Sequence, residues 1–237
     1  MTRLYTGNCP EWSSDGPETR EGSFRKSVAA AYRAAAAAAK RKIADSPACR
    51  DWHRTLFMHH VPLDYYAGNY RQIDRLRPCL QTDVQVEGTP GARYQTVVSE
   101  MERLFDHLRR YTVALELNWP ELSPEERAKR LAIILGTMIG RFIQVHPFIN
   151  GNGRLSRLLW AWGLLRFGVP PQFRVRQHPD HPDYTFIMNQ AMQGNFGHLA
   201  VNIFKHLTHH TPQLSGRKPA PPAGINPVAI QTRRHPS

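Results

Sequence analysis

Within twelve residues of this chain stand a histidine, two glycines one residue apart and two arginines, at spacings suited to phosphate chemistry. Gly151 and Gly153 flank Asn152 just ahead of an apolar-periodic stretch that reads as a helix. Glycines there leave the backbone free to take positive φ. Successive amides at such a junction form an anion nest, reinforced by the positive end of the helix dipole. Arg154 and Arg157 are three apart, so they leave one side of the helix's first turns, and guanidinium groups meet phosphate oxygens in bidentate fashion. Upstream, His146 closes the preceding helix, and near neutral pH imidazole is the side chain best suited to take a proton from an attacking hydroxyl. Phe148 is expected to turn inward and anchor the loop. A base, a phosphate cradle and charge compensation for a leaving pyrophosphate equip a site for phosphoryl or nucleotidyl transfer, where positioning and electrostatics do most of the work.

The elements that must hold this loop are mostly helical. Residues 23–44 contain a run of alanines and read as a helix by propensity, but alanine buries little surface, so the pattern is that of a surface helix flanking the domain. Asp45, Ser46 and Pro47 form a helix start, and Gly68 breaks any helix through Tyr65 and Tyr70. Val84 and Val86 alternate ahead of Glu87, Gly88, Thr89, Pro90 and Gly91, which predicts a short hairpin over 83–94. The period returns to helical over 97–117. Ser123, Pro124 and Glu126 make a capping box, opening a helix that carries Leu131, Leu135, Met138, Phe142 and Val145 on one face and stops at Pro147. The next helix starts at Asn152 or Gly153 and presents Leu155, Leu158, Leu159 and Trp162 to the core, with Trp162 preferred over Trp160. Residues 184–192 and 198–207 look helical, and the proline-rich stretch from 211 onward, free of acidic residues, is expected to be a disordered basic tail. The fold class is therefore all-α, about six to eight helices with a short β-hairpin. The expected division is an N-terminal extension over 1–48, a catalytic domain over 49–207 and a basic tail over 208–237.

The segment of residues 146–157 resembles the signature of the Fic family, His-x-Phe-x-(Asp/Glu)-Gly-Asn-Gly-Arg-x-x-Arg. His146, Phe148, Gly151, Asn152, Gly153, Arg154 and Arg157 match in register, and Pro147 is the usual second residue. Tyr66, Ala67, Gly68, Asn69, Tyr70 and Arg71 look like the element that precedes the family's flap, and the likeness extends over about 50–207. It implies a Fic-type helical domain that transfers AMP from ATP to a Tyr, Thr or Ser hydroxyl. His146 would be the general base, Gly151, Asn152, Gly153 and Arg154 would hold the phosphates, and Arg157 would offset their charge. The target protein would lie along the flap near 83–94 by main-chain pairing. Tyr184 and Asn189 fall where similar proteins place a helix beside the adenine.

One position departs from the signature. Where it has Asp or Glu to hold Mg²⁺ or Mn²⁺, this chain has Asn150, an amide without the charge that suits a hard cation. Three outcomes stay open: weaker metal binding with transfer retained, a carboxylate supplied from elsewhere, or a different group transferred, such as another NMP, a phosphate or a phosphocholine-type moiety. A catalytically weakened interaction module is the reading from another class. Many relatives are restrained by a helix carrying (Ser/Thr)-x-x-x-Glu-(Gly/Asn), and the three Ser/Thr-to-Glu spacings here (Ser14/Glu18, Thr96/Glu100, Thr112/Glu116) leave it incomplete. A separate antitoxin-like partner, or no restraint, is expected.

Bulk properties bound the rest. A net charge of +12 with basic residues spread along the chain reads as a solvated basic surface with basic tails, against a dedicated nucleic-acid patch. Residues 1–10 lack the apolar core of a signal peptide and no run is long enough to span a bilayer, so a cytoplasmic protein is expected, with a secreted effector left open. Cys9, Cys49 and Cys79, odd in number and widely spaced, suit free thiols better than a disulfide framework. The pairs His59/His60 and His209/His210 read as surface, and the prolines around His178 and His181 as a rigid loop.

Overall fold

The computed structural model describes residues 9–12, 22–41, 43–171 and 182–208. Seven α-helices and one two-stranded hairpin are found there: α1 (Gly22–Ala39), α2 (Ser46–Phe57), β1 (Gln85–Val86), β2 (Thr89–Pro90), α3 (Val97–Asn118), α4 (Pro124–Val145), α5 (Asn152–Arg166), α6 (Pro182–Met192) and α7 (Gly197–Thr208). The all-α class with a short hairpin is what the periodicities predict. The tail beyond 208, the loop around His178 and the His209/His210 pair lie outside the described residues.

Local chemistry sets the helix ends. The Asp45 carboxylate accepts from the Ala48 amide to start α2, with Pro47 in the first turn. Ser123 and Glu126 cap α4 reciprocally, as the capping-box spacing predicts. α4 is the hub, packed by α3, α5, α6 and α7. Its close approach to α7 requires glycine, because a Cβ at Gly136 would lie 2.7 Å from the Ala200 Cα.

α5 departs from a one-sided pattern. Trp160 is buried as well as Trp162, and so are Arg154, Ser156, Arg157 and Arg166. The reason is that α1 lies along α5, while α2 and α4 cover its other sides. The alanine-rich helix is thus not a flanking surface element. Ala31, Ala35 and Ala39, four apart, are all essentially inaccessible, and small side chains let the two helix backbones come close. Arg166 fastens the end of this contact, donating to the Ala39 carbonyl and pairing with Glu116 of α3 at 2.8 Å.

Two further expectations are corrected. Cys9 and Cys79 form a disulfide with Cα atoms 5.5 Å apart, a pairing of residues 70 apart in sequence that spacing could not disclose. Cys49 alone stays a thiol, buried and pushed up to about 12 by that burial. His60 is buried, not superficial, because the Phe24 ring of α1 covers it edge-on at 5.1 Å. No helix among the described residues is long and apolar enough to cross a membrane.

Candidate active site

The site is built where α4 ends and α5 begins. α4 closes on His146, which takes the left-handed conformation (φ 51°) with its amide still bonded to the Phe142 carbonyl. The chain then turns through Pro147 and Phe148. Phe148 points inward as expected, fully buried, and lies flat on the His53 ring with centroids 3.7 Å apart. The Asn152 side chain closes the turn: its Oδ1 accepts from the Phe148 amide and its Nδ2 donates to the Phe148 carbonyl, both at 3.0 Å. What Asn152 can offer an anion is therefore its main-chain N–H.

Gly151 caps α5 with φ 80°, and glycine is obligatory for two reasons. The conformation disfavours a Cβ, and a Cβ would come within 2.4 Å of the Phe57 ring. Gly153, already inside the helix, has nothing within 4 Å of where a Cβ would stand. An incoming phosphate can approach the first turn of α5 there. Arg154 and Arg157 follow on the same helix, both more than nine-tenths buried. The Arg154 guanidinium sits over the Phe24 ring at 5.1 Å and near Phe57 at 6.0 Å, so α1 and α2 together frame it.

The His146 ring is oriented by its own helix. Nδ1 lies 3.3 Å from the Ile143 carbonyl, which can only accept, so Nδ1 carries the hydrogen and Nε2 keeps the lone pair. Burial, with a smaller contribution from the Arg71 charge, pushes the ring down to about 4, against the Ile143 contact that raises it. The imidazole is neutral at physiological pH.

Two residues that sequence reasoning left without a role hold this geometry. Arg71 is completely buried. Its guanidinium donates to the carbonyls of His146 (2.9 Å), Val145 (3.0 Å), Thr82 (3.0 Å) and Ala92 (2.8 Å), while its amide donates to Pro147 at 2.8 Å. Asp83 stands 3.9 Å away, and burial lowers the guanidinium to about 10, so it stays charged. One side chain thus ties both ends of the flap to the end of α4. His53, also fully buried, accepts from the Gly68 amide at Nδ1, which leaves Nε2–H to donate to the Asn150 carbonyl at 3.0 Å. Its burial pushes it down to about 3. The signal for Arg71 was its place in a short motif; His53 had no local signal at all.

The flap is a hairpin pairing Gln85 with Pro90 and Val86 with Thr89, turned by Glu87 and Gly88, both at positive φ. Its base rests on α4, since the Ala92 amide donates to Val145 and a Cβ at Gly91 would touch the His146 Cβ at 3.0 Å. Its tip is tied to α6, where Asn189 donates to the Glu87 carboxylate. The side chain of Tyr184 lies outside the described residues. Of the two described Ser/Thr-to-Glu spacings, Glu100 is engaged by Arg103 and Arg141, and Glu116 by Arg166. The Asn150 side chain takes up the first amide of the nest. Its Oδ1 accepts from the Gly151 amide at 2.6 Å and its Nδ2 donates to the Trp12 carbonyl at 2.7 Å. Among the described residues no group of three or more His, Cys, Asp or Glu is placed to hold a metal ion.

Comparison with known proteins agrees with this geometry. The family model described as the Fic/DOC family matches residues 44–164, about half of the chain. A protein adenylyltransferase Fic of Nematostella vectensis is 40% identical over 55 residues, covering 23% of this chain and 12% of the relative. One of Aedes aegypti is 40% identical over 52 residues, covering 22% and 10%. The chain thus spans only about a tenth of the length of these curated relatives. Among solved structures, a Fic domain containing signaling protein from Bacteroides thetaiotaomicron superposes with a TM-score of 0.53 at 21% identity, over 82% of this chain and 73% of that one.

Proposed function

Because the chain belongs to the Fic/DOC family, we propose that it is a nucleotidyl transferase acting on protein hydroxyl groups. The donor is ATP and the group moved is AMP. The reading rests above all on His146, whose Nε2 lone pair is kept free by the Nδ1 contact to Ile143 and whose Cβ lies against the flap base at Gly91. The adenylyltransferase names of the relatives support it.

The chemistry follows from the placement. A Tyr, Thr or Ser hydroxyl, presented by a target segment lying along the flap, attacks the α-phosphorus. His146 Nε2 takes the hydroxyl proton as the new O–P bond forms. The bond between the α-phosphorus and the bridging oxygen breaks, and pyrophosphate leaves with the electron pair. The α5 N-terminus, through the amides of Asn152 and Gly153, holds phosphate oxygens, with Arg154 and Arg157 supplying positive charge beside them, while the Gly151 amide is taken by Asn150. Binding phosphate raises the His146 pKa from its low resting value, because an anion stabilises the imidazolium. The Mg²⁺ or Mn²⁺ that the family resemblance implies finds no carboxylate at Asn150, whose amide is engaged at both ends and does not fit a hard cation.

The test is incubation with a lysate and ATP labelled at either the α- or the γ-phosphate. The expected result is protein labelling from the α-label alone, reduced by roughly 10²–10⁴ in His146→Ala, the range for a lost general base. Labelling from the γ-phosphate would point to phosphoryl transfer, and α-labelling untouched in His146→Ala would remove the assigned base.

A further inference from the structure

We propose that Asn150 is a positioning residue that clasps the N-terminal segment, residues 9–12, onto the base of the phosphate loop, and is not a cation ligand. The inference takes residues 146–157 as the site, and so rests on the proposed function only for its importance to catalysis.

The amide is oriented by its partners. A main-chain carbonyl can only accept and a main-chain N–H can only donate, so Nδ2 must face Trp12 and Oδ1 must face Gly151. Asparagine is the residue this arrangement demands. An aspartate has no hydrogen to give Trp12 and would set a negative charge against a carbonyl oxygen at the 2.7 Å separation now bridged by a hydrogen bond. The position where the family signature carries an acid is thus occupied by the one near-isosteric side chain that can do both jobs.

The segment on the other side is fixed independently. Trp12 is 8% exposed, meets the edge of Phe57 at 5.2 Å and of His53 at 6.0 Å, and stacks on Tyr66 at 6.1 Å. The Tyr66 hydroxyl donates to the Pro10 carbonyl at 3.3 Å, and Cys9 is joined to Cys79. Phe57 and His53 are the very groups that a Cβ at Gly151 would strike. The indole, the two rings and the loop therefore form one packed unit, and the Asn150 amide is its polar closure. Its main-chain carbonyl is held as well, by His53. The donor set speaks against a cation at the same place. A hard divalent ion is bound through one or two carboxylates together with substrate phosphates, and Asn150 brings a neutral oxygen already bonded to Gly151.

Two measurements on the full chain test this. Hydrogen exchange followed by mass spectrometry, without nucleotide, is expected to show the amides of Gly68 and Phe148, which donate to side chains of the packed unit, exchanging up to about tenfold faster in the near-isosteric Asn150→Asp, the factor for one ordinary hydrogen bond. Unchanged exchange there would overturn the clasp. Titration of the wild-type chain with a non-hydrolysable ATP analogue, with Mg²⁺ or with EDTA, is expected to give affinities within about threefold of each other, a difference well under 1.4 kcal/mol. A gain of tenfold or more with Mg²⁺ that disappears in Asn150→Ala would restore Asn150 as a ligand and overturn the inference. If the chain bound no nucleotide, the proposed function would fail while the exchange measurement still decided the clasp.

Discussion

The phosphate loop and the flap meet at His146 but are built in opposite ways. The loop is packed along its inner side: Phe148 on His53, Gly151 against Phe57, Asn152 closed on Phe148, and Trp12 against Phe57 and His53. The flap has two strands of two residues each, partly or fully exposed along their length, and is fixed at its base and at one contact of its tip. A site whose chemistry is shared by many donors and targets gains from a rigid cradle, whereas a surface that receives different target segments gains from a main chain left open for pairing. Under the proposed function, reaction belongs to the first region and selection to the second.

Arg71 belongs to both, so its removal is the severest test of that division. Arg71→Gln, shorter and with a single NH2 group, cannot reach all four carbonyls and leaves most of them without a donor in a buried place, and breaking such a network costs about 3–5 kcal/mol. The variant is expected to melt well below wild type, and Arg71→Lys, which keeps the charge but not the fork, to fall between them. Where the Lys variant stays folded, transfer should fall further than nucleotide affinity, because the nest on α5 does not touch Arg71. A melting temperature unchanged in Arg71→Gln would show that the two regions are held together by something else.

A pair of glycines separates the regions more finely. Gly151 and Gly88 share φ 80°, so backbone strain from an added Cβ is common to both. Their surroundings differ: Phe57 lies 2.4 Å from the Cβ position at Gly151, and nothing lies within 4 Å at Gly88. Gly88→Ala is expected to cost about 1 kcal/mol from strain alone, and Gly151→Ala about 3 kcal/mol once overpacking is added. Urea denaturation of the two variants measures the difference. Equal costs would mean that the loop is no more tightly packed than the flap.

The same contrast governs what could be read from the sequence. Helix caps, the stop at Pro147, the hairpin turn and the inward Phe148 all follow from neighbours a few residues apart, and they stand where the local signals place them. The members of the packed unit come from distant stretches. His53 reaches Asn150 across 97 residues, Asn150 reaches Trp12 across 138, and Cys9 meets Cys79 across 70. No periodicity reports such meetings. The alanine stripe of α1 and the burial of His60 and Trp160 were opaque for a related reason, since their burial depends on which helix lies opposite. Arg71 was visible as a motif residue, yet its function needed the five carbonyls around it to be brought together by the fold.

Acid offers a milder way to pull the regions apart, because His146 at the loop and His53 of α2 beneath it are held neutral by burial. His53 is lowered to about 3 and His146 to about 4, against an unfolded value of 6.5. As pH falls below 6.5 the unfolded chain takes up protons that the folded chain refuses. The stability present above 6.5 is therefore lost progressively, down to the folded pKa values. Between pH 7.5 and 5.5 the loss is about 1 kcal/mol for each histidine. Replacing His53 by a neutral residue removes its share of the slope, so His53→Gln is expected to flatten the decline in urea stability even though the variant starts from a lower value. With the slower intrinsic exchange at pH 5.5 allowed for, protection should be lost at the amides of Gly68 and Phe148, which the loop's packing protects, more than at the hairpin amides of residues 85–90. An equal loss of protection in both places, or a pH slope identical in His53→Gln and wild type, would show that the acid response belongs to the whole molecule and not to the packed unit under the loop.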